Sequence, residues 1–86
     1  MKYEFKDHAD RGAVSNWIDA QKTAIDILRK VADKHIVITV RAENENESAI
    51  LHSLQQIHAN KCRTIAPTNI ENNSFQITAN LTELDR

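Results

Sequence analysis

His35-Ile36-Val37-Ile38-Thr39-Val40-Arg41-Ala42 alternates large apolar side chains with polar or smaller ones. Ile36, Ile38 and Val40 fall on one side of an extended chain; His35, Val37, Thr39 and Arg41 fall on the other. Successive side chains of a strand point to opposite faces, so this pattern marks a sheet with one packed face and one wet face. β-branched residues dominate the stretch, which suits a pleated, half-buried surface. Two further runs repeat the period. Lys2 to Lys6 (KYEFK) sets Tyr3 and Phe5 against Lys2, Glu4 and Lys6. Phe75 to Thr82 (FQITANLT) sets Phe75, Ile77, Ala79 and Leu81 against Gln76, Thr78, Asn80 and Thr82.

Between the strands the period changes. From Ala13 to Lys34 the apolar residues Val14, Trp17, Ile18, Ala24, Ile25, Leu28, Val31 and Ala32 recur every three or four positions, which predicts an amphipathic helix. Asp10 or Ser15 is positioned to cap it, and Ile27 lies off the main stripe. A second helix is predicted over about 46–59, with Ile50, Leu51, Leu54 and Ile57 as its buried stripe and Ala49 alongside. Asn44 and Glu47 have the capping-box spacing before it, and Glu43, Glu45 and Glu47 suit a helix N-terminus. Capping accounts for this acidic run without an acidic recognition patch. Cys62 to Ala66 reads as a third strand ended by Pro67, and Asn72-Asn73 supply a turn before the last strand.

The expected order is βαβαββ, or βαβαβ if 62–66 is irregular. Helical crossovers between parallel strands would place both helices on one face. The expectation is therefore one α/β (α+β) domain over residues 1–86, a two-layer sandwich with a mixed sheet and two helices on one face.

Composition narrows the function. Eighty-six residues carry eleven basic and twelve acidic side chains, a net charge of −1, so nothing overall marks a nucleic-acid or anionic-membrane binder. One cysteine excludes an internal disulfide framework and fits a reducing compartment. No signal-peptide core and no spanning apolar run occurs, so the cytoplasm is the expected location. Ser15, Ser48, Ser53 and Ser74 lack nucleophile-elbow glycines. His8, His35, His52, His58 and Cys62 show no metal-ligand spacing. Gly12 is the single glycine, so no phosphate-binding glycine loop exists. No enzyme, metal or cofactor is expected. Trp17, on the helical stripe, reads as core.

The element order resembles the two-layer group that includes the Alba chromatin proteins, the sporulation protein SpoVS and the C-terminal domain of a bacterial translation initiation factor. Val14-Ser15-Asn16-Trp17-Ile18 looks like the start of an Alba first helix. Ile36 to Ala42 looks like its second strand, leading to a helix with Ala49-Ile50. Where that family carries lysines and a basic glycine turn, this chain has Arg11-Gly12 and Glu43 to Glu47. Ile36 to Val40 with Asn44-Glu45-Asn46 is similar to the N-terminal half of the phage NinB recombination-mediator family. The resemblance implies nucleic-acid association, with Arg11, Arg29, Lys30, Arg41, Lys61 and Arg63 as the candidate phosphate contacts on DNA or RNA. The alternative is a protein-interaction module, such as a small accessory or inhibitor protein of a phage or mobile element. It would use the open sheet face or a sheet edge to hold a protein partner or a second copy of the chain as a homodimer. The open face carries no aromatic residue, which disfavours a base-stacking platform.

Overall fold

The computed structural model describes residues 1–31, 35–61 and 67–84, with the side chains of Lys61 and Glu83 left aside. Strand β1 covers Lys2–Phe5, helix α1 Trp17–Val31, strand β2 Ile36–Arg41, helix α2 Glu45–Lys61, strand β3 Ser74–Ala79 and the short helix α3 Leu81–Leu84. The strands form one sheet in the order β1-β2-β3. The expected strand at 62–66 and the end of the first helix at 32–34 lie outside the described residues.

Within the strands the alternating runs bury the side the pattern assigns, whereas Leu81, expected on the same side, lies past the end of β3 and is half-buried. Tyr3, Phe5, Ile36, Ile38, Val40, Phe75, Ile77 and Ala79 are buried. Register aligns them in rows across the sheet: Tyr3–Val40–Phe75, then Phe5–Ile38–Ile77, then Ile36–Ala79. Lys2, Glu4, Val37, Thr39, Arg41, Ser74, Gln76 and Thr78 line the other face, each half-buried or exposed.

Pairing corrects the expected mixed sheet with parallel crossovers, because both neighbouring pairs are antiparallel. The reason lies in the connections. After β1 the chain turns at Asp7, whose φ is +65°, and passes through a 3-10 turn at Ala9–Arg11 and Gly12 at φ +76°. It then doubles back along the outer edge of β1. There Tyr3 N donates to Val14 O at 2.8 Å and Val14 N donates to Tyr3 O at 3.0 Å. Helix α1 therefore starts at the end of the sheet where β1 began, and β2 must return antiparallel. The second connection makes the same move: Asn72 and Asn73, at φ 52° and 58°, turn the chain so that Thr68 N meets Gln76 O at 3.0 Å on the outer edge of β3. Both outer edges are thus partly covered by the chain itself, a device that blunts edge-to-edge association.

The first helix starts later than expected because Val14 is committed to that edge. Asn16 caps it, accepting from Asp19 N at 2.8 Å; neither Asp10 nor Ser15 does so. Its buried residues are Ala20, Ala24, Ile27 and Leu28, while Ile18 and Val31 are exposed. The stripe is rotated from the one bulk alone suggests. Small Ala20 and Ala24 are fully buried, Ile27 joins the core, and Ile18 is left outside. Close-packed interiors reward this fit of shape over side-chain size.

The second helix is capped as its spacing implies, with Glu47 N donating to Asn44 Oδ1 and Glu43 N donating to Glu47 Oε1, both at 2.9 Å. Its buried residues are Leu51 and His58, with Leu54 half-buried. Ile50, Ile57 and Ala49 are not buried, against expectation. The expected strand through Thr82 ends at Ala79. Leu84 N reaches back to Asn80 O at 3.1 Å, and the resulting turn of helix tucks Leu84 into the core beside α1.

Candidate functional site

Three surfaces hold the candidate side chains: the open sheet face, the basic residues around α1, and the outer side of α2.

On the open face, Arg41 stands directly opposite Lys2 in register. Two cations so placed repel, and the diagonal neighbour relieves this: Arg41 Nε lies 3.0 Å from Glu4 Oε1. The rest of the face is neutral, and among the described residues it holds no aromatic ring.

Arg11 and Lys30 converge, but on a carboxylate. Arg11 Nη1 lies 2.7 Å from Asp26 Oδ2, and Lys30 Nζ lies 3.5 Å from the same oxygen, one helical turn on. The Arg11 hydrogen bond, with Lys30 adding its charge, holds the Asp26 carboxyl below the usual range. Arg29 is exposed on α1. Lys61 ends α2, and Arg63 lies outside the described residues. The structure thus gathers Arg11 and Lys30 against α1 and sets Arg41 on the opposite side of the sheet. They do not form one stripe.

Helix α2 runs across the strands. At its start, the α-amino group of Met1, beside β1, pairs with Glu47. Farther on, Gln55 Nε2 donates to Thr68 O at 2.6 Å beyond β3. The Met1 amine, seconded by the Glu43 N–H, holds the Glu47 carboxyl below its ordinary range. Burial, with the Glu47 charge second, raises the Tyr3 phenol above its ordinary value.

Beneath α2 the side chains form an aromatic cluster. His58 is 3% exposed. Its ring lies 4.6 Å from Trp17 in an edge-on arrangement and 6.0 Å from Phe75, and Trp17 lies 5.8 Å from Tyr3. Sequence reasoning missed His58 as a core residue. The signal was present: Glu47, Leu51, Leu54 and His58 share one helix face at spacings of three and four. Trp17 is half-buried, as befits a ring that closes the side of this cluster.

The outer side of α2 is the opposite case. Ile50 is 56% exposed and Ile57 48% exposed, with half-buried Leu54 between them; Ile18 on α1 is 64% exposed. An open concavity of about 400 Å³ beside the 72–73 turn is lined by Thr68, Asn69, Glu71, Asn72, Ser74, Phe75 and Gln76, with no cation among these described residues. Among the described residues no group of three His, Cys, Asp or Glu side chains gathers to hold a metal, and no helix is long and apolar enough to cross a membrane. No family model, curated protein or solved structure matches the chain.

Proposed function

We propose that this domain is a non-enzymatic protein-interaction module that docks through its helical layer, with α2 as the contact element. The observation that carries the reading is the pair Ile50 and Ile57, 56% and 48% exposed on one side of a helix whose other side is in the core. Large aliphatic side chains on one exposed helix face are what helix-docking partners read, as anchors three, four and seven positions apart. The charge balance supports the same reading. Arg11, Lys30 and Arg41 each already face a carboxylate. A phosphate would meet these cations with part of their charge already offset by Asp26 and Glu4.

Fluorescence anisotropy with labelled single-stranded DNA, duplex DNA and RNA at low salt tests the choice. No saturable binding is expected. Saturable binding that weakens with salt, at a log–log slope near −0.9 per phosphate on duplex DNA, would replace this reading with a nucleic-acid-binding one. In parallel, a protein captured by the wild type and reconstituted from purified components should be lost with Ile50→Lys. A partner indifferent to that change would remove α2 from the reading.

A further inference from the structure

We infer that the partner on α2 is a second copy of this chain, held in an antiparallel α2–α2 pair across a two-fold axis. This rests on the protein-interaction reading and goes beyond it by naming the occupant.

Ile50, Ser53, Leu54 and Ile57 stand at i, i+3, i+4 and i+7. These four positions form the diamond at which one helix surface meets another when ridges pack into grooves. The diamond is self-complementary. A two-fold axis through its centre, between Ser53 and Leu54, sets Ile50 of each copy beside Ile57 of the other. Ser53, small and exposed, lets the helix axes approach closely at the middle. The same surface patch then serves both subunits, as an isologous interface requires.

Charge fixes the direction. Glu45 lies in the first turn of α2, whose sequence ends on Lys61, while Glu47 of the same turn is held by the Met1 amine. An antiparallel pair sets the acidic start of one helix against the basic end of the other and opposes the two helix dipoles. A parallel pair would set Glu45 beside Glu45.

Ile18, 64% exposed on the first turn of α1, is a further exposed aliphatic residue of the helical layer, and its chain neighbour Trp17 lies 4.6 Å from His58 of α2, ring to ring.

Sedimentation equilibrium of the whole chain, from micromolar to millimolar, with circular dichroism on the same samples, tests the pair. The wild type should approach twice the 9.8 kDa chain mass. Ile50→Lys, which keeps a good helix former at an exposed position, should weaken the dimer by about tenfold or more, as removal of a central interface anchor does, with an unchanged helical spectrum. Glu45→Lys should weaken it a few-fold; strengthening would overturn the antiparallel arrangement. A dimer indifferent to Ile50→Lys would overturn the α2 seat. A monomer at all concentrations would overturn self-association outright, while a purified protein partner lost with Ile50→Lys would leave the interaction reading standing.

Discussion

The packed face of the sheet and the outer side of α2 carry the same kinds of residue and meet opposite surroundings. Ile38 and Ile77 lie in the middle row of the sheet with no exposed surface. Ile50 and Ile57, equally apolar, stand about half in solvent. A central strand is fixed by two neighbours, so its dry face can be only one of two, and alternation chooses between them. A helix laid across a three-stranded sheet can turn only one stripe inward. Here α2 has two candidate stripes, Leu51 with His58 and Ile50 with Ile57, with half-buried Leu54 on the boundary between them, and the layer covers one. What remains outside is surface for something else.

Stability measurements can break this contrast most sharply on the sheet. Phe75→Ala should cost about 3–5 kcal/mol, and Ile38→Ala about 2–5, because each opens a cavity that the surrounding row of side chains cannot close. Thr39→Ala, one residue along and on the wet face, should stay within about 0.5 kcal/mol. Urea unfolding read by circular dichroism gives all three, and a reversed order for Ile38 and Thr39 would overturn the assignment of faces.

The same contrast repeats within one helix. Leu51→Ala should cost about 2–5 kcal/mol. Ile50→Ala, its chain neighbour, should change stability by less than about 1 kcal/mol in dilute solution, since alanine is the better helix former and offsets the partial burial lost at a side chain 56% exposed. Equal losses at the two positions would mean that Ile50 is in the core and that the outward ridge does not exist.

The connections come next in size. Asn73, at φ 58°, lies in the left-handed region that non-glycine residues adopt at a cost. Asn73→Ala should cost about 1–2 kcal/mol and Asn73→Gly should be neutral or better. This turn brings Thr68 onto the edge of β3, so loss of strand protection in hydrogen exchange should accompany the alanine variant at Gln76.

These differences also explain what could be read from residues alone. The strand faces were legible at Tyr3, Ile38 and Ile77, because period two leaves no intermediate choice. The cap at Asn44 and the turn at Asn72-Asn73 were legible because those side chains act locally. Strand direction was not, because it depends on Val14 pairing with Tyr3, a return that no local pattern in 7–16 encodes. The helix stripes were legible only in part. Ala20 and Ile27 replaced Ile18 once shape complementarity to the sheet decided the rotation, and His58 entered the core because Trp17 and Phe75 made an aromatic site for it. Of the basic residues, charge and fold likeness picked out Arg11, Lys30 and Arg41. Asp26 facing Lys30 is a local pair one helical turn apart, whereas Asp26 facing Arg11 and Glu4 facing Arg41 come from distant sequence positions and follow from the edge return and the register.

The smallest effect lies at the start of α2, where the inward and outward sides share one capping turn. The Met1 amine and the Glu43 N–H bind the ionised Glu47 carboxyl and hold it below its ordinary range. A carboxyl whose folded value is depressed binds fewer protons folded than unfolded. Its contribution is therefore present above about pH 4.3, the ordinary glutamate value, and is lost as pH falls through the folded value. Glu47→Gln should lower the urea midpoint slightly at neutral pH and leave it unchanged below the carboxylate range, where both chains are neutral at this position. Asp26→Asn should follow the same course through loss of the Arg11 bond. If the Glu47→Gln difference instead persisted undiminished in acid, the side chain would act by packing rather than by charge, and the capping turn would belong to the core rather than to its rim.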